Sequence, residues 1–122
     1  MGTAANTTEL RHGPLGATVT RIGPISTIAL RGELDLSNVE VVSRLLDEFE
    51  TAGDETIVVD LEQLEFIDSS GIAMLVNAHL QLDISGPGRL RIVPSRAAAV
   101  ARMFRLTGLD ERLPFVSDGR PG

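Results

Sequence analysis

Two adjacent hydroxyls and a carboxylate stand together at Asp68, Ser69, Ser70 and Gly71, between a run that ends at Ile67 and an apolar run that begins at Ile72. Where a strand ends and a helix begins, unpaired backbone N–H groups and the positive end of the helix dipole favour an anion. In open α/β sheets ligands bind at that edge. A phosphate on Ser69 can be received there by the amides of Gly71 and Ile72, with Gly71 leaving room for close approach. The same residues also fit a plain N-cap, in which Asp68 or Ser69 contributes about 1 kcal/mol. On their own they leave both readings open.

Other chemistries lack their residues. The chain has no Cys, which removes thiolate nucleophiles, disulfides and Cys-based zinc sites. All 11 basic residues are Arg, so Schiff-base lysines and the lysine of a P-loop are absent, and ATP binding by the chain itself should be weak. A hydrolase using Ser69 as nucleophile needs a base, and the two histidines are His12, in the expected N-terminal tail, and His79, within an apolar helical run. Asp60 ends a strand as a receiver-domain phosphoacceptor does, but the lysine and early acidic pair of such a magnesium site are missing. His79 reads as a partly buried structural residue, and Arg96, Arg102 and Arg105 as the solvated face of the last helix. No metal or cofactor is expected.

Charge points to a kind of partner. Residues 33–68 hold 12 acids against the single Arg44, a balance of −11, whereas residues 84–122 hold three acids and seven Arg, a balance of +4. Such a middle repels nucleic acid and anionic membrane and favours a basic partner face. With no Trp or Tyr, base stacking is poorly provided for. No apolar run approaches the ~20 residues of a membrane span, and the N-terminal residues lack a signal-peptide stretch. The expectation is a cytoplasmic protein, with neither nucleic acid nor membrane as partner.

The elements that must hold the turn follow from periodicity. At 122 residues, with 43% hydrophobic and 23% charged, the chain suits one domain. Residues 1–14 read as a flexible tail, 15–118 as the domain and 119–122 as a second tail. Ala17–Ile22 and Thr27–Arg31 predict an antiparallel pair turning at Gly23 and Pro24. Ser37 and Glu40 form a capping-box pattern before a helix that buries Val42, Leu45, Leu46 and Phe49, ended by Gly53. Thr56–Leu61 is β-branched and unalternating, as in a central strand covered on both faces. Ile72–Leu82 predicts a helix. Leu90, Ile92 and Val93 predict a strand, followed by Pro94 and Ser95 as a stop and N-cap. A helix burying Val100, Met103 and Phe104 then ends in a Schellman stop at Gly108 and Leu109. Leu113, Phe115 and Val116 offer a last edge strand. The expected core includes Val42, Leu45, Phe49, Ile57, Val59, Leu75, Ile92, Met103 and Phe104. The fold class is α/β, a mixed sheet with parallel central strands and helices packed against it.

Over longer context the chain resembles a known family. The stretch from Ile57 through VVDLEQLEFIDSSGIAM to Leu75, with Gly32, Glu33, Leu34 and Asp35 before the first helix and RMFRLTGL at 102–109, is similar to the STAS domain of anti-anti-sigma factors over roughly Gly16 to Ser117. The resemblance implies an anti-sigma factor antagonist. Unphosphorylated, it would bind an anti-sigma factor that is also its serine kinase, be released by phosphorylation, and be restored by a metal-dependent serine phosphatase. Carried over residue by residue, the phosphorylated position falls on Ser69, with Ser70 as runner-up. The partner contacts fall on Asp35, Asp68, Ser69, Ser70, Gly71 and Ile72, although Asp35 also fits a plain cap-region acid. Asn77, His79 and Gln81 stand where members often carry basic residues, and Ala73 where a second Gly is common. The alternative within the family is a STAS-like subunit of a sensory or lipid-transport complex without a phosphoswitch.

Overall fold

Gly-Pro pairs punctuate the first third of the chain, and each one turns a hairpin. The computed structural model describes residues 6–116. In it β1 (Asn6–His12), β2 (Leu15–Ile22) and β3 (Ile25–Leu34) form an antiparallel meander. Gly13 and Gly23 take the two turns at φ of 59° and 58°, a region open to glycine at little steric cost. Then follow α1 (Val39–Thr51), β4 (Thr56–Ile67), α2 (Ser69–Ser85), β5 (Leu90–Val93) and α3 (Ala98–Leu106). The strands lie in the order β1-β2-β3-β4-β5, and β3, β4 and β5 run parallel. This is the mixed sheet that the periodicity predicts.

Helix placement follows from handedness. The chain marches in one direction from β3 to β4 to β5, and a right-handed crossover at each step puts α1 and α2 on the same face. Burial agrees: Ile28, Val59 and Ile92 share one register row and are fully buried, whereas Thr27 and Val58 in the next row are half-buried and Arg91 is exposed. β4 is therefore not covered on both faces, contrary to its apolar run. Val100 and Phe104 of α3 join the same core, and the Phe104 ring meets Phe115 edge-on at 5.1 Å. Of the expected core, Leu45 and Met103 are only partly buried and the other seven are buried.

The remaining differences have local causes. Asn6–His12, expected in a tail, is an edge strand; its residues are mostly exposed, so no apolar alternation marks it. Residues 1–5 and 117–122, which include the expected domain end at 118 and the second tail, lie outside the described residues. β4 runs on to Ile67 rather than stopping at Leu61, because two register shifts against β3 space its buried residues by three, at Leu61, Leu64 and Ile67. The Ser37–Glu40 box does not form: Asn38 is the N-cap of α1, and the Ser37 hydroxyl donates to the Asp35 carboxylate at 2.6 Å. Ser95 likewise precedes the true N-cap, Ala97, donating to the Leu64 carbonyl and accepting from the Ala97 amide. Both glycine stops are Schellman motifs, with Asp54 N–H on the Phe49 carbonyl (3.2 Å) and Leu109 N–H on the Phe104 carbonyl (2.9 Å). The last strand shrinks to one parallel bridge, Ile92 with Phe115.

Just past the α1 stop, Asp54 is 4% exposed and holds the sheet end opposite the serine turn. Its carboxylate accepts from Arg21 and from the buried Ser26 hydroxyl, its carbonyl accepts from Arg89, and Arg21 lies over the Phe49 ring at 5.8 Å. Removing one partner of such a cluster strands the rest. Asp54→Ala should therefore cost about 2–3 kcal/mol in urea unfolding, since Arg21 keeps some access to water. Glu40→Ala, which breaks the exposed pair with Arg44, should change stability by less than about 0.5 kcal/mol. Phe49→Ala should cost about 3–5 kcal/mol, and a near-unchanged midpoint in that variant would contradict the buried face of α1.

Candidate functional site

The β3–α1 and β4–α2 connections leave the sheet side by side, and Asp68 joins them. It is the N-cap of α2, with extended backbone (φ −105°, ψ −176°), and its Oδ1 accepts from the amides of Ser70 (2.9 Å) and Gly71 (3.1 Å). Its Oδ2 accepts from the Leu36 amide (3.2 Å) in the neighbouring loop, and its own amide donates to the Leu34 carbonyl (3.2 Å). The Ile72 amide donates back to the Asp68 carbonyl (3.1 Å). The N-cap reading is thus realised by Asp68. The amides of Gly71 and Ile72, expected to receive a phosphate, are already engaged.

Ser69 is the first residue of the helix and is exposed, while Ser70 is half-buried. Among the described residues neither hydroxyl enters a hydrogen bond, so the fold makes no use of either. Gly71 is buried, and a Cβ there would lie 2.7 Å from Ile67 Cγ1 and 3.1 Å from Leu34 Cδ2. Glycine therefore lets the first turn of α2 rest directly on the ends of β3 and β4. Ile72 is 8% exposed and faces the core. Its side chain and Gly71 position the turn by packing on the ends of the strands.

Asp35 is half-buried and turns to its own loop: its Oδ1 accepts from the Ser37 amide (3.0 Å) and hydroxyl, and its amide donates to Asn38 Oδ1 (3.0 Å). The Asn38 side chain in turn donates to the Glu33 carbonyl (2.9 Å). Asp35 shapes the loop whose Leu36 amide binds Asp68, and no hydrogen bond links it to Ser69. None of the ion pairs among the described residues involves Asp35 or Asp68.

Two large apolar side chains missed by the sequence reading flank this turn. Leu36 is 76% and Phe66 46% exposed. Their signal was position: each lies within two residues of a turn acid, where a solvated loop would normally carry polar residues. The histidines lie away from Ser69. His79 is ten residues along α2, a rise of about 15 Å, and His12 is three strand spacings, about 14 Å, from β4. Arg96 pairs with Glu62 at the surface, and Arg102 and Arg105 are exposed as expected. No group of His, Asp and Glu suited to a metal occurs among the described residues, nor any helix long and apolar enough to cross a membrane.

Comparison with known proteins gives consistent relatives. A family model described as Mlab, STAS domain, matches residues 18–117. The unphosphorylated form of the anti-sigma factor antagonist SpoIIAA superposes with a TM-score of 0.70 at 24% identity, covering 84% of this chain and 89% of that one. An anti-sigma factor antagonist from Mycobacterium paratuberculosis gives 0.69 at 22%, covering 93% and 86%. A Thermotoga maritima protein assigned provisionally as an anti-sigma factor antagonist gives 0.66 at 26%, covering 80% and 82%. SpoIIAA of Bacillus has also been solved in its phosphorylated form, at 0.59 and 22%, covering 94% and 93%.

Asp68→Ala should lose the cap and the loop tie together, about 2 kcal/mol by denaturant unfolding. Amide exchange of Leu36 should accelerate with it. Unchanged protection at Leu36 would show that the two loops are held by something other than this carboxylate.

Proposed function

We propose that this chain, which belongs to the STAS domain family, is an anti-sigma factor antagonist that binds an anti-sigma factor serine kinase while Ser69 is free and leaves it when Ser69 carries phosphate. One observation carries the reading. Ser69 offers the exposed hydroxyl of the turn, unused by the fold, beside amides that Asp68 has already taken. Phosphorylation adds about −1.5 to −2 charges at a place where the amides of Ser70, Gly71 and Ile72 are already engaged. The fold loses nothing by it, so the effect falls on whatever surface had packed against the hydroxyl. There an unpaired charge and added bulk oppose closure.

The relatives support this role. Anti-sigma factor antagonists share the fold, and Bacillus SpoIIAA exists in unphosphorylated and phosphorylated forms. In this reading the chain is not an enzyme: the kinase brings the nucleotide, a serine phosphatase restores the free hydroxyl, and the exchange takes place in the cytoplasm. Ser70, half-buried, is the second choice of acceptor. The second reading within the STAS domain family is a STAS-like subunit of a sensory or lipid-transport complex in which Ser69 stays unmodified.

Mass spectrometry of the chain isolated from its source cells, with its bound proteins identified, separates the two. Ser69→Ala should bind the kinase and resist labelling, a permanently active antagonist, and Ser69→Asp should mimic release only in part, since a carboxylate carries less charge and fewer acceptors than phosphate. Labelling of Ser69→Ala but not of Ser70→Ala would move the acceptor to Ser70. Normal labelling of both would sink the switch at this turn, and a stable complex with an unlabelled chain would favour the second reading.

A further inference from the structure

Helix α2 exposes two large apolar side chains, Leu80 and Ile84, among the polar Asn77, Gln81, Asp83 and Ser85. Of its 17 residues only Asp83 carries a formal charge. Six residues turn inward, from Gly71 to Leu82. On the outside, 3.6 residues per turn place Ser69, Ala73, Leu80 and Ile84 within about 60° of one another. All four are exposed, Leu80 by 56% and Ile84 by 87%. The strip begins at the proposed phosphoacceptor and runs about 22 Å along the helix.

Beside it lies a groove of about 310 Å³ between α1 and α2, beginning at Ser70. Its α1 wall presents Glu40, Asp47 and Glu50, and the only cation on α1, Arg44, pairs with Glu40. An apolar strip beside a one-signed wall specifies its occupant. A second copy would bring two acidic walls together, and an anionic membrane would be repelled.

We infer that the outer face of α2 from Ser69 to Ile84 is the docking surface for the kinase, and that it takes a protein element whose apolar strip is bordered by Arg or Lys facing Asp47 and Glu50. The inference rests on the switch reading, and the two are separable: affinity comes from the Leu80–Ile84 end, and control from the Ser69 end.

A photo-crosslinking residue, p-benzoylphenylalanine, is placed at Ile84 of the full chain in its source cells, with Arg91 on the opposite sheet face as control. The adduct is identified by mass spectrometry, and the captured protein is purified and titrated. An ATP-binding serine kinase is expected at 84 and not at 91. Leu80→Arg and Ile84→Arg should weaken its binding more than about tenfold, Ile84→Asp less, with melting unchanged because both positions are exposed. Added salt should weaken the wild-type complex. Arg variants that bind as wild type while Ser69 is labelled would overturn this surface and leave the switch standing. Lost binding in the Arg variants with Ser69 unlabelled would overturn the switch and keep the surface. A second copy of the chain crosslinked at 84 would overturn the choice of occupant.

Discussion

One carboxylate decides what the serine turn can do. Asp68 fills the anion site that every helix N-terminus offers, through Ser70 and Gly71, and uses its other oxygen on the Leu36 amide across the loop. Because that site is taken by a residue of the fold, Ser69 next door is held at a fixed place while remaining chemically free. A phosphate cradled by the amides would have been a stabilised part of the domain. One excluded from them is a projecting charge, legible only to a partner.

The two ends of the sheet divide the work. At one end the buried Asp54 ties the β2–β3 hairpin, the exit of α1 and the entry to β5 through Arg21, Ser26 and Arg89. At the other, Gly71 lets α2 sit on Ile67 and Leu34 without a side chain between them. The polar cluster and the close approach fix opposite ends of the parallel strands, so the turn stands on a frame that the proposed modification of Ser69 need not move.

Where local chemistry and global packing agree, the sequence could be read. The turn at Asp68, the Gly53 and Gly108 stops and the buried rows of α1 and β4 all carry their own periodicity or capping signal. Reading failed where one residue served another element. Ser37 and Ser95 look like N-caps but spend their hydroxyls on Asp35 and on the Leu64 carbonyl. The β4 bulges replace alternation by a spacing of three and hide half of a twelve-residue strand. β1 lies at an edge where nothing requires apolar residues, although Gly13 and Pro14 repeat the turn signal seen at Gly23 and Pro24. At the site, spacing placed the Ser69 hydroxyl at the head of a helix and the Asp68 cap beside it; the bond from the Leu36 amide to the other Asp68 oxygen is long-range, and no local pattern encodes it.

A basic partner drawn to an acidic groove would also seem to welcome a phosphate on Ser69, and position along α2 resolves the conflict. Asp47 and Glu50 line the groove toward the far end of the strip, whereas Ser69 is flanked by the exposed Leu36 and Phe66. Those two ends are separated by more than the ~8 Å over which charges are felt through physiological salt. In the proposed complex, basic groups meet acids at one end while apolar contacts exclude water at the other. A phosphate at the dry end gains little from cations held at the wet end and must be desolvated beside Asp68, a cost of several kcal/mol per buried ion. Release then requires neither a change of fold nor a repulsive partner, only that the contact around Ser69 be apolar.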